Sequence, residues 1–182
     1  MIRLFAGIAI APALAAGLEP LAAGIPGARW VAARNLHLTL RFIGEVEDGI
    51  AEDVHLSLAT IASPGFALTL ETLGTFGHRR PHTLWLGVAR EVALERLQAK
   101  VESATVRAGC VPDPRKFTPH VTLARLGGEA TARIPDFIAG NSPLRAGPMT
   151  VTHFTLFRSH LSRSGADYEA VAEYPLSEAG AR

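Results

Sequence analysis

With 182 residues, 48% of them hydrophobic and 19% charged, the chain can bury a sizeable core and is too apolar to be disordered. A formal net charge of +1 supplies no global field toward nucleic acid or membrane, so any anion site must be local. The single cysteine, Cys110, excludes an intramolecular disulfide and a Cys-rich zinc site, and fits a reducing compartment.

Residues 3–10 read as a first strand. Residues 11–23 read as a helix with Pro12 in its first turn. No charge lies between Arg3 and Glu19, and Ala13-Leu14-Ala15 resembles a signal-peptide cleavage site. The run is too short to span a bilayer, Pro12 interrupts it, and Arg3 is its only leading charge, so strand and helix are preferred to an export signal. Residues 30–34 are a connector.

A strand over 36–43 follows with clean alternation. Leu36, Leu38, Leu40 and Phe42 are apolar, whereas His37, Thr39 and Arg41 are polar, and Gly44 is expected to end it. Residues 47–62 read as a helix with acidic residues in its first turn, stopped by Ser63-Pro64-Gly65. Residues 66–72 alternate again. A basic loop, His78-Arg79-Arg80-Pro81-His82, leads to a strand over 84–88 and a strongly periodic helix over 91–108 that ends at Gly109. After a Pro-rich loop over 111–116, a strand spans 119–126 and closes at Gly127-Gly128. Pro135 marks 130–139 as short or irregular. Residues 149–157 alternate as one strand, a basic turn carries Arg158, His160 and Arg163 before Ser164-Gly165, and 168–176 is the last strand. Hairpin-like strand pairs broken by single helices predict an α+β fold with mostly antiparallel sheet.

One phrase occurs twice, as His37-Leu38-Thr39-Leu40 and as His120-Val121-Thr122-Leu123. In a strand, residues two apart share a face, so each His and Thr project together while the residue between them faces the core. Either histidine alone reads as a structural residue. The same triplet on two strands in one chain reads as a duplicated half-site. Imidazole can take a proton and imidazolium can give one near neutral pH, so two histidines on one cleft can divide the work of phosphodiester cleavage. Thr39 and Thr122 offer hydroxyls to the non-bridging oxygens. No metal is required by such chemistry. Arg41 lies on the face of His37 and is a further phosphate contact. Arg125 lies an odd number of positions from His120 and reaches the cleft only if the strand twists or bulges. Arg79, Arg80, Arg158 and Arg163 are available to frame the cleft for an RNA backbone, and Phe76, Phe117 and Tyr168 to stack on a base.

Residues 35–44, Asn-Leu-His-Leu-Thr-Leu-Arg-Phe-Ile-Gly, and residues 117–125, Phe-Thr-Pro-His-Val-Thr-Leu-Ala-Arg, resemble the two signature motifs of the 2H phosphoesterase superfamily. The nearest likeness is to the RNA 2′,3′-cyclic phosphodiesterases, also called the 2′-5′ RNA ligase family. The likeness extends to Arg3-Leu4-Phe5-Ala6, Leu84-Trp85-Leu86-Gly87 and residues 154–159. It implies one domain over 1–182 made of two intertwined lobes, with two antiparallel sheets facing across a central cleft and a pseudo-twofold duplication. It implies metal-independent hydrolysis of an RNA 2′,3′-cyclic phosphate to a 2′-phosphate without a cofactor, with His37 as proton donor and His120 as proton acceptor. The sequence itself leaves the polarity of the pair open, and leaves open the reverse joining to a 5′-hydroxyl. The expected partner is RNA with a cyclic phosphate end, tRNA fragments included, and the expected state is a cytoplasmic monomer. Two alternatives stand beside this: a 2H enzyme acting on a small cyclic or 2′-5′-linked nucleotide, and a non-catalytic module that binds RNA ends.

Overall fold

A computed structural model describes residues 1–77, 79–128, 130–162 and 165–178; His78, Arg163 and Ser164, named above, lie outside them. In chain order the elements are β1 (Ile2–Ala9), α1 (Pro12–Leu18), β2 (Arg29–Trp30), β3 (His37–Val46), α2 (Asp48–Ala59), β4 (Phe66–Phe76), β5 (Thr83–Val88), α3 (Val92–Arg107), β6 (His120–Arg125), α4 (Ile134–Gly140), β7 (Arg145–Val151), β8 (His153–Ser162) and β9 (Gly165–Pro175). Local chemistry is plain at two of the helices. Pro12 sits in the first turn of α1, where its missing N–H costs nothing. The Glu91 carboxylate caps α3 by accepting from the Ala93 N–H at 2.9 Å, and Leu94, Leu97, Val101 and Ala104 give α3 its buried stripe.

The strands form an antiparallel sheet in the order β7-β4-β5-β6-β3-β1-β8-β9, with β2 added beside β6. It is two four-stranded halves, β7-β4-β5-β6 and β3-β1-β8-β9, joined by a single pair, Leu38 with Val121. The halves share a plan: β1-α1-β3 and β5-α3-β6 each place two antiparallel neighbours around a helical connection. The chain crosses from one half to the other through α2 and returns between β7 and β8. The β3-β1-β8-β9 half is thus built from chain segments before β4 and after β7.

Two expectations are corrected. Residues 149–157 are not one strand: β7 pairs with β4, β8 pairs with β1, and the break at Thr152 takes the chain between halves. The core-facing set slips by one residue at that break, from Met149 and Val151 in β7 to Phe154 and Leu156 in β8, so a single alternation does not run through both strands. Gly44 does not end its strand; it takes φ +91° and β3 runs on to Val46 through an irregularity in register. The 130–139 stretch holds only short elements, as expected: a 3-10 turn, Ala130–Arg133, runs into the seven-residue α4, with Pro135 in the first turn of that helix.

The duplication is visible in register. Between β1 and β3, Gly7 pairs with Thr39 and Ala6 with Arg41, which leaves Leu40 as an unpaired extra residue. Between β5 and β6, Trp85 pairs with Thr122 and Leu84 with Ala124, which leaves Leu123 extra. Each copy of the motif thus ends on a β-bulge at its fourth residue. The carbonyls there are served from outside the ladders: Gln98 Nε2 donates to Leu40 O at 3.5 Å, and the Val31 N–H to Leu123 O at 2.8 Å.

Candidate active site

The pair joining the two halves is the middle residue of both motifs. Antiparallel register around Leu38 and Val121 sets His37 toward Thr122 and Thr39 toward His120, so a local twofold axis passes between the motifs. Leu38 and Val121 are fully buried on the helix side, and all four His and Thr side chains stand on the opposite face.

Each ring is fixed by the carbonyl two residues before it. His37 Nδ1 lies 2.7 Å from Asn35 O, and His120 Nδ1 lies 2.7 Å from Thr118 O. A carbonyl only accepts, so Nδ1 carries the proton in both rings and Nε2 is the nitrogen left open to accept one. Neither Nε2 has a hydrogen-bond partner among the described residues, nor do the Thr39 and Thr122 hydroxyls.

Aromatic rings wall both histidines. Phe5 lies 4.7 Å from His37, centroid to centroid, Tyr168 meets it edge-on at 4.9 Å, and Phe157 stands at 6.3 Å. Phe76 meets His120 edge-on at 4.8 Å, with Trp85 at 6.3 Å. Trp85 fits because Gly74 opposite it has no side chain; a Cβ there would lie 2.3 Å from the indole. Asn35, only 8% exposed, does two jobs: its carbonyl holds His37, and its Nδ2 donates to Ala166 O at 3.0 Å on β9, the strand that brings Tyr168 onto the ring. Phe5, Trp85 and the roles of Asn35 and Thr118 were not legible as site features in the sequence. The available signal was the shared offset of Asn35 and Thr118 from their histidines.

Burial pushes the His37 imidazole below the ordinary 6.5, and the nearby His120 and Arg125 act in the same direction against the bond to Asn35. Burial likewise lowers His120, helped by Arg125 and opposed by the bond to Thr118. Both rings are therefore neutral in the empty site at neutral pH. A phosphodiester anion between them favours the charged form of either.

The bulges decide which arginine reaches this face. Past Leu40 the alternation is reversed, so Arg41 does not share the face of His37, as regular alternation requires. It turns into the helix layer and is 6% exposed, with Nε 2.6 Å from Glu102 Oε2 and Nη1 3.3 Å from Asp113 Oδ2. It also donates to the Val111 and Phe42 carbonyls. The phosphate-contact expectation for Arg41 is therefore corrected: it is a core cation that ties β3 to α3 and to the loop before β6. We expect Arg41→Met to cost about 3 kcal/mol, the low end for breaking a buried pair because both carboxylates keep some water. Thermal denaturation should show Tm lower by roughly 6–12 °C; an unchanged Tm would mean that water serves those carboxylates equally well.

The bulge at Leu123 has the opposite outcome. It turns Arg125 onto the histidine face, where its charge acts on both rings and its Nη1 donates to Thr83 Oγ1 at 2.8 Å. Of the remaining expected contacts, Phe76 and Tyr168 lie against the histidines. Phe117 is half-buried against the core, and Arg80 is exposed in the turn after β4. Arg158 pairs with Leu4, a core residue, so it points away from the histidine face and borders it only around the end of the sheet. Among the described residues no group of three or more His, Cys, Asp or Glu is placed to hold a metal ion, and no helix is long and apolar enough to cross a membrane.

A family profile described as the 2′-5′ RNA ligase superfamily matches residues 11–163. The chain is 35% identical over 156 residues to an RNA 2′,3′-cyclic phosphodiesterase of Geobacillus stearothermophilus, covering 84% of this chain and 49% of that one. It is 32% identical over 160 residues to the protein of the same name from Aeropyrum pernix, covering 86% and 90%. The chain thus spans about half the length of the first relative and most of the second. Among solved structures, Escherichia coli LigT complexed with 3′-AMP is similar with a TM-score of 0.80 and 32% identity, covering 96% of this chain and 98% of that one.

Proposed function

The chain belongs to the 2′-5′ RNA ligase superfamily, and from that premise we propose that it hydrolyses the 2′,3′-cyclic phosphate at RNA ends to a 2′-phosphomonoester. The observation that carries this reading is the pair of rings with Nδ1 pinned at 2.7 Å and Nε2 turned to one face across the twofold seam. Relatives named RNA 2′,3′-cyclic phosphodiesterase support the choice of bond.

In the proposed reaction, His120 Nε2 takes a proton from water as its oxygen forms a bond to phosphorus. The P–O3′ bond breaks, and His37 Nε2–H gives its proton to the departing 3′-oxygen. The Thr39 and Thr122 hydroxyls and the Arg125 guanidinium hold the non-bridging oxygens as charge builds on them. The proton returns from His120 to His37 through solvent. With an RNA 5′-hydroxyl in place of water, the same groups serve 2′-5′ joining. The proposal takes the enzyme as a cytoplasmic monomer of one domain over 1–182, with tRNA fragments among its substrates.

The test is an RNA oligonucleotide ending in 2′,3′-cyclic phosphate, incubated with EDTA. Hydrolysis to the 2′-phosphate should persist in EDTA. The active form carries one proton over the pair, and both rings ionise below 6.5. As pH falls through that region the first proton switches activity on, and the second switches it off. The profile of kcat/KM should therefore be a bell with its maximum below about pH 6.5, and that of kcat should lie higher because the bound anion favours imidazolium. A flat profile from about pH 5 to 9 would count against two titrating histidines.

A further inference from the structure

The two copies of the motif differ at one position that the bulges bring to the reaction face. Five residues after each histidine stand Phe42 and Arg125. Phe42 pairs with Phe5, whose ring touches His37, so Phe42 is on the histidine face as Arg125 is. The local twofold axis exchanges these two positions. Arg125 is near enough to act on both rings, so Phe42 flanks the reaction centre from the opposite side. Phe42 is 37% exposed, and Arg3, also on this face of β1, lies over its ring at 5.0 Å from the centroid.

A guanidinium on one flank suits phosphate. An exposed aromatic ring backed by a cation suits the π-face of a base. Arg3, whose cross-strand partner is Glu45, is turned onto the Phe42 ring, so the stacked pair and not an isolated cation is what this flank offers. Beyond Phe42 the sheet ends in an open hollow of about 270 Å³ whose lining includes Arg3, Glu45, Arg158, Ser159 and His160, which leaves room for chain beyond the terminal nucleotide. We propose that Phe42 and Arg3 form a stacking subsite for a base of the RNA body, on the 5′ side of the nucleotide that carries the cyclic phosphate. The unlike flanks then set the direction in which the RNA end enters an otherwise twofold site. This inference rests on the reading of the chain as an RNA-end phosphodiesterase.

The experiment compares a short oligonucleotide ending in 2′,3′-cyclic phosphate with the corresponding nucleoside 2′,3′-cyclic monophosphate. Phe42→Ala should lower the ratio of kcat/KM for the oligonucleotide over the mononucleotide about tenfold, and Phe42→Trp should keep or raise it. Equal losses on both substrates, or no loss on either, overturns the subsite. Fluorescence anisotropy of the labelled oligonucleotide gives a second reading, with binding about tenfold weaker in Phe42→Ala and not in Phe42→Trp. If the unmodified protein turns over neither substrate, the enzymatic reading fails. The anisotropy titration still decides the subsite, and equal binding by both variants and the unmodified protein overturns it.

Discussion

Alanine at His37 or at His120 should lower kcat about 10²–10⁴-fold on an RNA with a cyclic phosphate end. Each ring owes its position to one carbonyl and a wall of aromatic side chains, and each presents Nε2 to the same face. Removing one imidazole removes one proton transfer and leaves the Thr hydroxyls, Arg125 and the other imidazole in place. KM should therefore change little beside kcat. The double variant should be less impaired than the product of the two losses, because an acid and a base that act on one transition state are not independent. The twofold arrangement makes the polarity of the pair a separate question, which leaving-group chemistry answers. A substrate with a p-nitrophenolate leaving group needs little protonation of the departing oxygen, so the defect of the acid variant shrinks and that of the base variant does not. With His37 as acid, the defect of His37→Ala shrinks on that substrate. If the defect of His120→Ala shrinks instead, the roles are exchanged. If both single variants remain fully active on RNA, the two-histidine mechanism is wrong.

Much of this site was legible before any coordinates. Alternation placed each His and Thr on one face and Leu38 and Val121 on the other, and the structure places them so. The antiparallel α+β class was also legible, because hairpin-like strand pairs are local features. What periodicity could not carry was the phase change at a bulge. Leu40 and Leu123 are both buried and look like any other core leucine in a strand. Yet the extra residue there sends Arg41 inward and Arg125 outward, the reverse of regular alternation. A single sequence has no local mark for such a bulge, since its cause is the register with β1 and β5. The break at Thr152 escaped for a related reason: the core-facing set slips by one residue there, from Met149 and Val151 to Phe154 and Leu156, and the two strands pair in different halves. Asn35 escaped because its importance comes from Ala166, far along the chain.

The outward turn of Arg125 makes it the residue outside the histidine pair whose loss should cost most. Its guanidinium is the one cation that acts on both rings among the groups that shift them. It is braced by Thr83 Oγ1 at 2.8 Å, across the same bulge that brings it to this face. Arg125→Met should lower kcat/KM about 10²–10³-fold if the fork meets the non-bridging oxygens as charge develops. The same change should move the pH profile in a defined direction. Arg125 lowers both histidines, so its removal makes protonation easier and shifts both limbs of the bell toward higher pH. Arg125→Lys separates the two effects. It keeps the charge, and so should keep the position of the bell. It loses the planar fork, and so should recover only part of the rate. A profile that stays in place in Arg125→Met would mean that the guanidinium is screened from the rings. A rate fully restored by lysine would mean that charge alone, and not two-point contact with phosphate, is what the bulge at Leu123 delivers to the site.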